Sequence, residues 1–164
     1  MSEAATAQAR RASLPLSFAP GGALVAGCGN IGAAVSARLA AAGLPVMFTY
    51  RENAPRAAAL EQRLAAHGGR ALARPLDFLD ETAVQRTLAE AARLFGRLHT
   101  VVYCAGPAIA FLKVRDMPPA TMATHLTADT LGAFRLFHHA IPLLEEGGGG
   151  TLTACVLSLA LVRR

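Results

Sequence analysis

The sequence is poor in the residues that mark several large classes of protein. It contains no tryptophan, two tyrosines, one lysine and three cysteines. Cys28, Cys104 and Cys155 have neither CxxC spacing nor clustered histidine partners, so we expect neither a zinc site nor a disulfide framework. His138 and His139 are adjacent on a predicted helix and point to different faces, which also argues against a metal site. This cysteine usage predicts a reducing, cytoplasmic environment.

Long hydrophobic runs and stacking platforms are also scarce. The longest apolar run, residues 151–162, is too short for a membrane span, which needs roughly 20 residues. The net charge of +5 comes from scattered arginines, and aromatic residues make up only 5% of the chain. We therefore expect no membrane and no nucleic-acid partner.

The composition that remains is typical of one soluble globular domain. Apolar residues make up 53% of the chain and charged residues 16%, which is too hydrophobic for a disordered protein. Residues 1–20 carry Arg10 and Arg11 but no apolar stretch of signal-peptide length. We interpret them as a flexible leader, with an organellar transit peptide as the alternative, and residues 21–164 as the domain.

From residue 23 onward, short apolar runs alternate with longer segments of helical period. This alternation predicts βαβ units, a parallel sheet and an α/β fold. Asp80 is expected to cap a helix, and Gly43 and Gly96 to end helices. The predicted strands are 23–26, 45–50, 70–76, 98–104 and 151–157, and the predicted helices are 31–42, 55–67, 81–95 and 120–146.

The strongest motif is Gly27-Cys28-Gly29-Asn30-Ile31-Gly32, a GxGxxG that follows a predicted strand and opens a helix. The first glycine allows the tight turn, the second lets backbone approach a pyrophosphate, and the third lets helix pack on strand. Free N–H groups at the helix start favour the anion. The motif predicts a dinucleotide-binding, Rossmann-like domain.

Arg51 occupies the position, some 20 residues further on, that reads the adenosine ribose in such domains. An acid there accepts a hydrogen bond from a 2′-hydroxyl, whereas an arginine favours a 2′-phosphate. Arg51 therefore predicts NADP over NAD, although Glu52 follows directly.

Further segments are similar to the short-chain dehydrogenase/reductase family over most of residues 22–158. They are Leu76-Asp77-Phe78, Tyr103-Cys104-Ala105-Gly106 and Asp129-Thr130-Leu131-Gly132-Ala133-Phe134. The resemblance implies a doubly wound parallel sheet in the order 3-2-1-4-5, in three α/β/α layers. It also implies that Asp77 and Phe78 contact the adenine, and that Cys104, Ala105 and Gly106 line the cofactor.

The same resemblance implies hydride transfer between NADP(H) and a small-molecule carbonyl or alcohol, with Ser158 and Asp129 at the positions of two catalytic residues. The family's Tyr-x-x-x-Lys pair is absent, because the only tyrosines are Tyr50 and Tyr103 and the only lysine is Lys113. We interpret the chain as a divergent fold that is incomplete at its C-terminus and inactive by itself. Helix 120–146 is the expected surface for homo-oligomers.

Two alternatives remain open at this stage. The missing Tyr and Lys favour a nucleotide-binding module without catalysis, or a degenerate homologue. Gly27-Cys28-Gly29 is also similar to the first motif of S-adenosylmethionine-dependent methyltransferases, although no acid precedes it. Binding of NADP or of S-adenosylmethionine distinguishes these classes.

Overall fold

The computed structural model describes residues 18–106 and 112–155 of the chain. Strands and helices alternate along the chain, as the sequence predicts. The strands are β1 Gly22–Ala26, β2 Val46–Tyr50, β3 Ala71–Pro75, β4 Leu98–Tyr103 and β5 Thr151–Ala154. The α-helices are α1 Asn30–Ala41, α2 Ala54–Ala66, α3 Glu81–Phe95, α4 Pro119–Leu126 and α5 Gly132–Glu146.

The five strands form one parallel sheet in the order β3-β2-β1-β4-β5. The predicted fold class and strand order are therefore confirmed. The order reverses between β1 and β4, and such a reversal leaves a crevice beyond the carboxyl ends of the two strands. This crevice is the place where a doubly wound sheet binds its ligand.

The sheet is covered on both faces, and the alternation of side chains along β1 separates two cores. Ala23 and Val25 face the core formed with α1 and α2. Leu24 and Ala26 face the core formed with α3 and α5. Every residue of β1 is buried. A strand that is covered on both faces is expected to consist of small and apolar residues, as β1 does.

Helix ends follow the predicted capping chemistry. The Asp80 carboxylate accepts a hydrogen bond from the Ala83 backbone N–H at 3.0 Å and caps α3. At the other end of α3, Gly96 has φ 78°, a left-handed conformation that a side chain disfavours. Asn53 caps α2 in the same way as Asp80 caps α3, through a 3.0 Å bond from the Arg56 N–H.

The residues predicted as one helix, 120–146, are helical throughout, with one irregular turn inside the helix. The segment consists of α4, a π-helical turn at Thr127–Leu131, and α5. The Ala128 carbonyl within this turn accepts a hydrogen bond from the Tyr103 hydroxyl at 2.9 Å. A hydrophobic pattern predicts helix here but does not distinguish a π-helical turn from an α-helical one.

The outer surface of α5 includes exposed apolar side chains. Phe134 is 63% exposed and Ile141 42% exposed, whereas Phe137 packs partly against the core. Self-association through this segment stays a prediction. Within the described residues, no helix has both the length and the apolar character that crossing a membrane requires.

The leader predicted at 1–20 lies almost wholly outside the described residues. The last residues of the strand predicted at 151–157 and the whole segment from 156 onward, including Ser158, lie outside them as well.

Candidate nucleotide-binding site

A cavity of about 310 Å³ opens at the carboxyl ends of β1, β2 and β4, within the size range of small-molecule sites. It lies at the predicted crevice of the sheet. Eight of the residues predicted to bind a cofactor line it: Gly27, Gly29, Arg51, Asp77, Phe78, Cys104, Ala105 and Gly106. The predicted set is therefore brought together in space, and its role in binding stays a prediction.

Neighbouring strands hold the glycine turn in place. The Gly27 N–H donates to the Thr49 hydroxyl at 3.1 Å, and Thr49 is completely buried in β2. Gly27 has φ +94°, and a side chain there would press against the backbone of Ala105, its Cβ lying 3.0 Å from the Ala105 Cα. The turn is thus clamped between β2 and the end of β4. Thr49 was not predicted as a site residue.

The other two glycines of the motif differ in what surrounds them. A Cβ on Gly32 would collide with the Gly27 carbonyl oxygen, so the fold itself demands glycine there. A Cβ on Gly29 would meet no atom of the described residues within 4 Å, and Gly29 has an ordinary φ of −62°. Neither packing nor backbone conformation explains Gly29, whose missing side chain leaves space in the cavity.

Two arginines stand at the outer end of the cavity. Arg51, as predicted, follows β2, and its Nε donates to Glu52 at 2.9 Å in an exposed pair. Arg56 was not predicted: its Nε donates to the Cys28 carbonyl at 3.0 Å and its Nη2 to the Asn30 side chain at 2.7 Å. Its place in the first turn of α2, after the cap at Asn53, is the signal that could have found it, because helical side chains lean toward the N-terminus.

Asn30 and Ile31 do not line the cavity. Asn30 is the first residue of α1 and acts here through its bond to Arg56. The Ile31 side chain is 54% exposed. Their predicted contribution is the backbone N–H at the helix start, which no side-chain contact tests.

Asp77 and Phe78 form the wall next to β3. The Asp77 carboxylate accepts from the Leu79 N–H at 2.9 Å, a local turn that leaves the capping of α3 to Asp80. Phe78 is buried and meets the Tyr103 ring edge-on, with ring centroids 5.4 Å apart. The wall therefore combines an exposed carboxylate with a rigid aromatic pair.

Tyr103 is unsuited to the acid/base role that a tyrosine has in related enzymes. Burial, with the Asp129 charge as a smaller cause, raises the pKa of Tyr103 to about 12. A catalytic tyrosine needs the opposite shift, toward the working pH. The Tyr103 hydroxyl instead donates to the Ala128 carbonyl, which is a structural use.

The two predicted catalytic residues have different outcomes. Asp129 lies in the π-helical turn, and its Oδ1 would be 3.0 Å from a Cβ on Gly106, so its carboxylate borders the end of β4. Burial raises the pKa of Asp129, and the neighbouring His125 offsets part of this shift. Ser158 lies outside the described residues.

The predicted histidine geometry is visible only in part. The His139 Nε2 donates to a Glu81 carboxylate oxygen at 2.9 Å, whereas His138 stacks on Phe134. The two rings also meet edge-on, with centroids 4.9 Å apart, so the histidines have different outer partners but are not separated as predicted.

Comparison with known proteins finds one family over most of the chain. A family model described as enoyl-(acyl carrier protein) reductase matches residues 25–162. Versicolorin reductase 1 of Aspergillus parasiticus is 32% identical over 139 residues, which are 82% of this chain and 53% of that protein. Sulfoacetaldehyde reductase 2 of Chromohalobacter salexigens is 32% identical over 124 residues, 74% of this chain and 47% of that protein. The chain spans about half the length of the curated relatives that it matches.

Solved structures agree with this placement. A short-chain type dehydrogenase/reductase from Mycobacterium ulcerans superposes with a TM-score of 0.78 at 31% identity, over 85% of this chain and 52% of that one. A short-chain dehydrogenase from Burkholderia cenocepacia, solved in complex with NADP, gives a TM-score of 0.73 at 32% identity, over 84% and 55%. These matches leave the methyltransferase alternative without support. The chain belongs to the short-chain dehydrogenase/reductase family.

Proposed function

We propose that this chain is the NADP(H)-binding part of an oxidoreductase that moves a hydride between nicotinamide and a small carbonyl or alcohol. The observation that carries the proposal is Gly29, which lines the cavity although nothing in the fold requires a glycine there. A close approach of the dinucleotide pyrophosphate to the protein backbone explains why Gly29 has no side chain. The bound dinucleotide would supply the hydride.

The residues present fit a dinucleotide. The glycine turn would hold the pyrophosphate at the start of α1, since backbone N–H groups there are free to bind an anion. Asp77 and Phe78 would flank the adenine, and Ala105 and Gly106 would leave room for the rest of the cofactor along the end of β4. An apolar wall with a few polar groups is the usual composition of such a site.

A preference for NADP rests on two guanidinium groups rather than on one. Arg51 and Arg56 both line the cavity, and together they offer more positive charge than Glu52 cancels. A phosphate on the ribose would bring charge-assisted hydrogen bonds to either arginine. The exposed Arg51–Glu52 pair is weak in water, so a phosphate can displace the carboxylate.

A binding module without catalysis is the second candidate. The observation in its favour is that these 164 residues contain no Tyr-x-x-x-Lys pair and that Tyr103 is committed to a structural hydrogen bond. We expect the isolated chain to bind NADP(H) without turning over a carbonyl. Consumption of NADPH with an aldehyde or ketone panel would overturn that expectation.

The test is a titration of the purified chain with NADPH, following nicotinamide fluorescence and thermal stability. NADH and S-adenosylmethionine serve as parallel ligands. We expect NADPH to bind most tightly, and Gly29→Ala to weaken it at least tenfold while the free energy of unfolding changes by about 1 kcal/mol or less. Arg51→Ala should weaken NADPH and leave NADH unchanged.

Ala41→Ser, an exposed change at the end of α1 and outside the cavity, is the matched control. It should bind NADPH as the parent does. Equal NADPH affinity in Gly29→Ala and the parent would contradict the proposed site. Equal affinity of the parent for NADH and NADPH would contradict the role of Arg51 alone.

A further inference from the structure

Two cysteines that are 51 residues apart in sequence come together at one edge of the sheet. Cys104 directly follows β4 and Cys155 directly follows β5, and these strands are paired in parallel up to Tyr103 and Ala154. The Cys155 N–H continues the pairing by donating to the Tyr103 carbonyl at 2.8 Å. The two Sγ atoms lie 3.5 Å apart.

The backbone geometry suits a covalent link. Residues at matching positions of neighbouring parallel strands are about 4.8 Å apart and project to the same face. That separation falls in the range of roughly 4.4–6.8 Å between Cα atoms that disulfides span. Small rotations of both side chains therefore suffice to bring the sulfur atoms into bonding distance, with no movement of the strands.

We propose that Cys104 and Cys155 form a reversible, oxidisable thiol pair that closes to a disulfide when the protein meets a peroxide. The third cysteine is excluded by its position, because Cys28 is buried in the glycine turn. The pairing is independent of the proposed nucleotide, since it follows from the sheet register alone. In a reducing compartment the pair would be open until an oxidant reaches it.

Within the described residues Cys155 is the exposed partner of the pair, and its thiol reacts first. Burial and the hydrogen bond to Cys155 raise the pKa of Cys104 to about 12, so Cys104 is not the initial nucleophile. Cys155 sulfur attacks one peroxide oxygen, giving a sulfenic acid and one water. Cys104 sulfur then attacks the Cys155 sulfur, the S–S bond forms, and the hydroxide leaves with the Cys104 proton as a second water.

The bond would join two strand ends next to the candidate nucleotide site, because Cys104 also lines the cavity. Within the described residues all of β5 is exposed, so a covalent link to the buried β4 gives the edge strand an anchor. We expect oxidation to raise the thermal stability of the chain, and reduction to restore the original value.

The experiment uses the purified full chain, reduced, desalted and treated with one equivalent of hydrogen peroxide. Remaining thiols are alkylated, and tryptic peptides are analysed by mass spectrometry without reduction. We expect a loss of about 2 Da from the intact chain and a cross-link between peptides 98–113 and 136–163. Dithiothreitol should return both the mass and the melting temperature.

Matched variants separate this pair from random oxidation. Cys28→Ser should form the same cross-link, whereas Cys104→Ser should stop at a sulfenic acid on Cys155 that dimedone traps. Oxidation in guanidinium should give mixed pairings that include Cys28. The proposal is overturned if the folded chain gives the same mixture, or if Cys155 is oxidised to the sulfinic acid in the parent without any cross-link.

Discussion

The central strand β1 and the outer strand β5 of the same sheet differ in what surrounds their carboxyl ends. The five residues of β1 are all buried, and its glycine turn is held by Thr49 and by the backbone at the end of β4. The four residues of β5 are all exposed within the described chain, and the strand is paired only with β4. We call the glycine turn with Thr49 the closed cradle, and β5 the open edge.

The two regions also differ in which residues a function would need from them. The cradle needs only backbone, glycines and one buried hydroxyl, all of which this chain contains, so nucleotide binding can be expected of it. Asp129 and Cys104 lie by the end of β4, and Cys155 follows β5; none of them replaces a tyrosine and lysine pair. Within the described residues, the candidate nucleotide site and the proposed thiol pair share Cys104 but otherwise depend on different parts of the sheet.

Gly32→Ala tests the closed cradle and should have the largest effect. The added Cβ would collide with the Gly27 carbonyl oxygen, and backbone cannot move aside as a side chain can. We expect a loss of about 3 kcal/mol or more in the free energy of unfolding, or no folded protein. Urea denaturation measures it, and Gly29→Ala is the control that should stay within about 1 kcal/mol.

If Gly32→Ala unfolds at the same urea concentration as the parent, the turn has more room for a side chain than the close packing of α1 on β1 implies. The comparison between Gly29 and Gly32 would then lose its physical basis. Loss of the fold in both variants would mean that Gly29 also has a structural role.

Leu136→Ala and Leu152→Ala compare the core with the edge directly. Leu136 in α5 is fully buried, whereas Leu152 in β5 is 36% exposed. Removing the Leu136 side chain should cost about 3 kcal/mol through lost burial and a residual cavity. Removing the Leu152 side chain should cost about 1 kcal/mol at most. Equal costs would mean that β5 is covered by chain or by a partner in solution.

Asp129→Asn should have the smallest effect, and it depends on pH. Burial raises the pKa of Asp129 in the folded chain, so its protonated form stabilises the fold, and that contribution is lost as pH rises through the folded pKa. The Asn variant should thus be slightly more stable near pH 7, within about 0.5 kcal/mol because the side chain is mostly solvated. The advantage should vanish below the ordinary carboxyl pKa of about 3.9.

Thermal melts of the parent and Asp129→Asn across this range provide the measurement. A constant difference at all pH values would show that the charge of Asp129 is irrelevant and that the substitution acts through shape. A more stable parent near neutral pH would reverse the sign and would mean that the carboxylate has a cationic partner in solution.

The alternation of strands and helices was predictable because short-range chemistry decides it. Apolar runs, the Asp80 cap and the Gly96 stop act within a few residues of each other, so their effect can be seen in the sequence. The helix over 120–146 was predictable as well, but the π-helical turn inside it was not. That turn, at Thr127–Leu131, includes the Ala128 carbonyl, whose partner is Tyr103, 25 residues earlier.

The candidate site was also predictable only in part. The glycine motif and Arg51 were found because each follows a strand end, and the segment at Asp77 was found through the family resemblance; all three line the cavity. Thr49 and Arg56 were missed, since a buried hydroxyl and a helical arginine look like ordinary core and surface residues until the turn that they hold is in place.

By itself, then, the sequence determined the α/β class, the strand positions and the glycine turn, because these depend on local periodicity and on backbone freedom at single residues. Only the tertiary structure decided which glycine leaves space for a ligand, that Arg56 clasps the turn, and that Cys104 meets Cys155. Those facts depend on strand register and close approach, which bring together residues that are far apart in the chain.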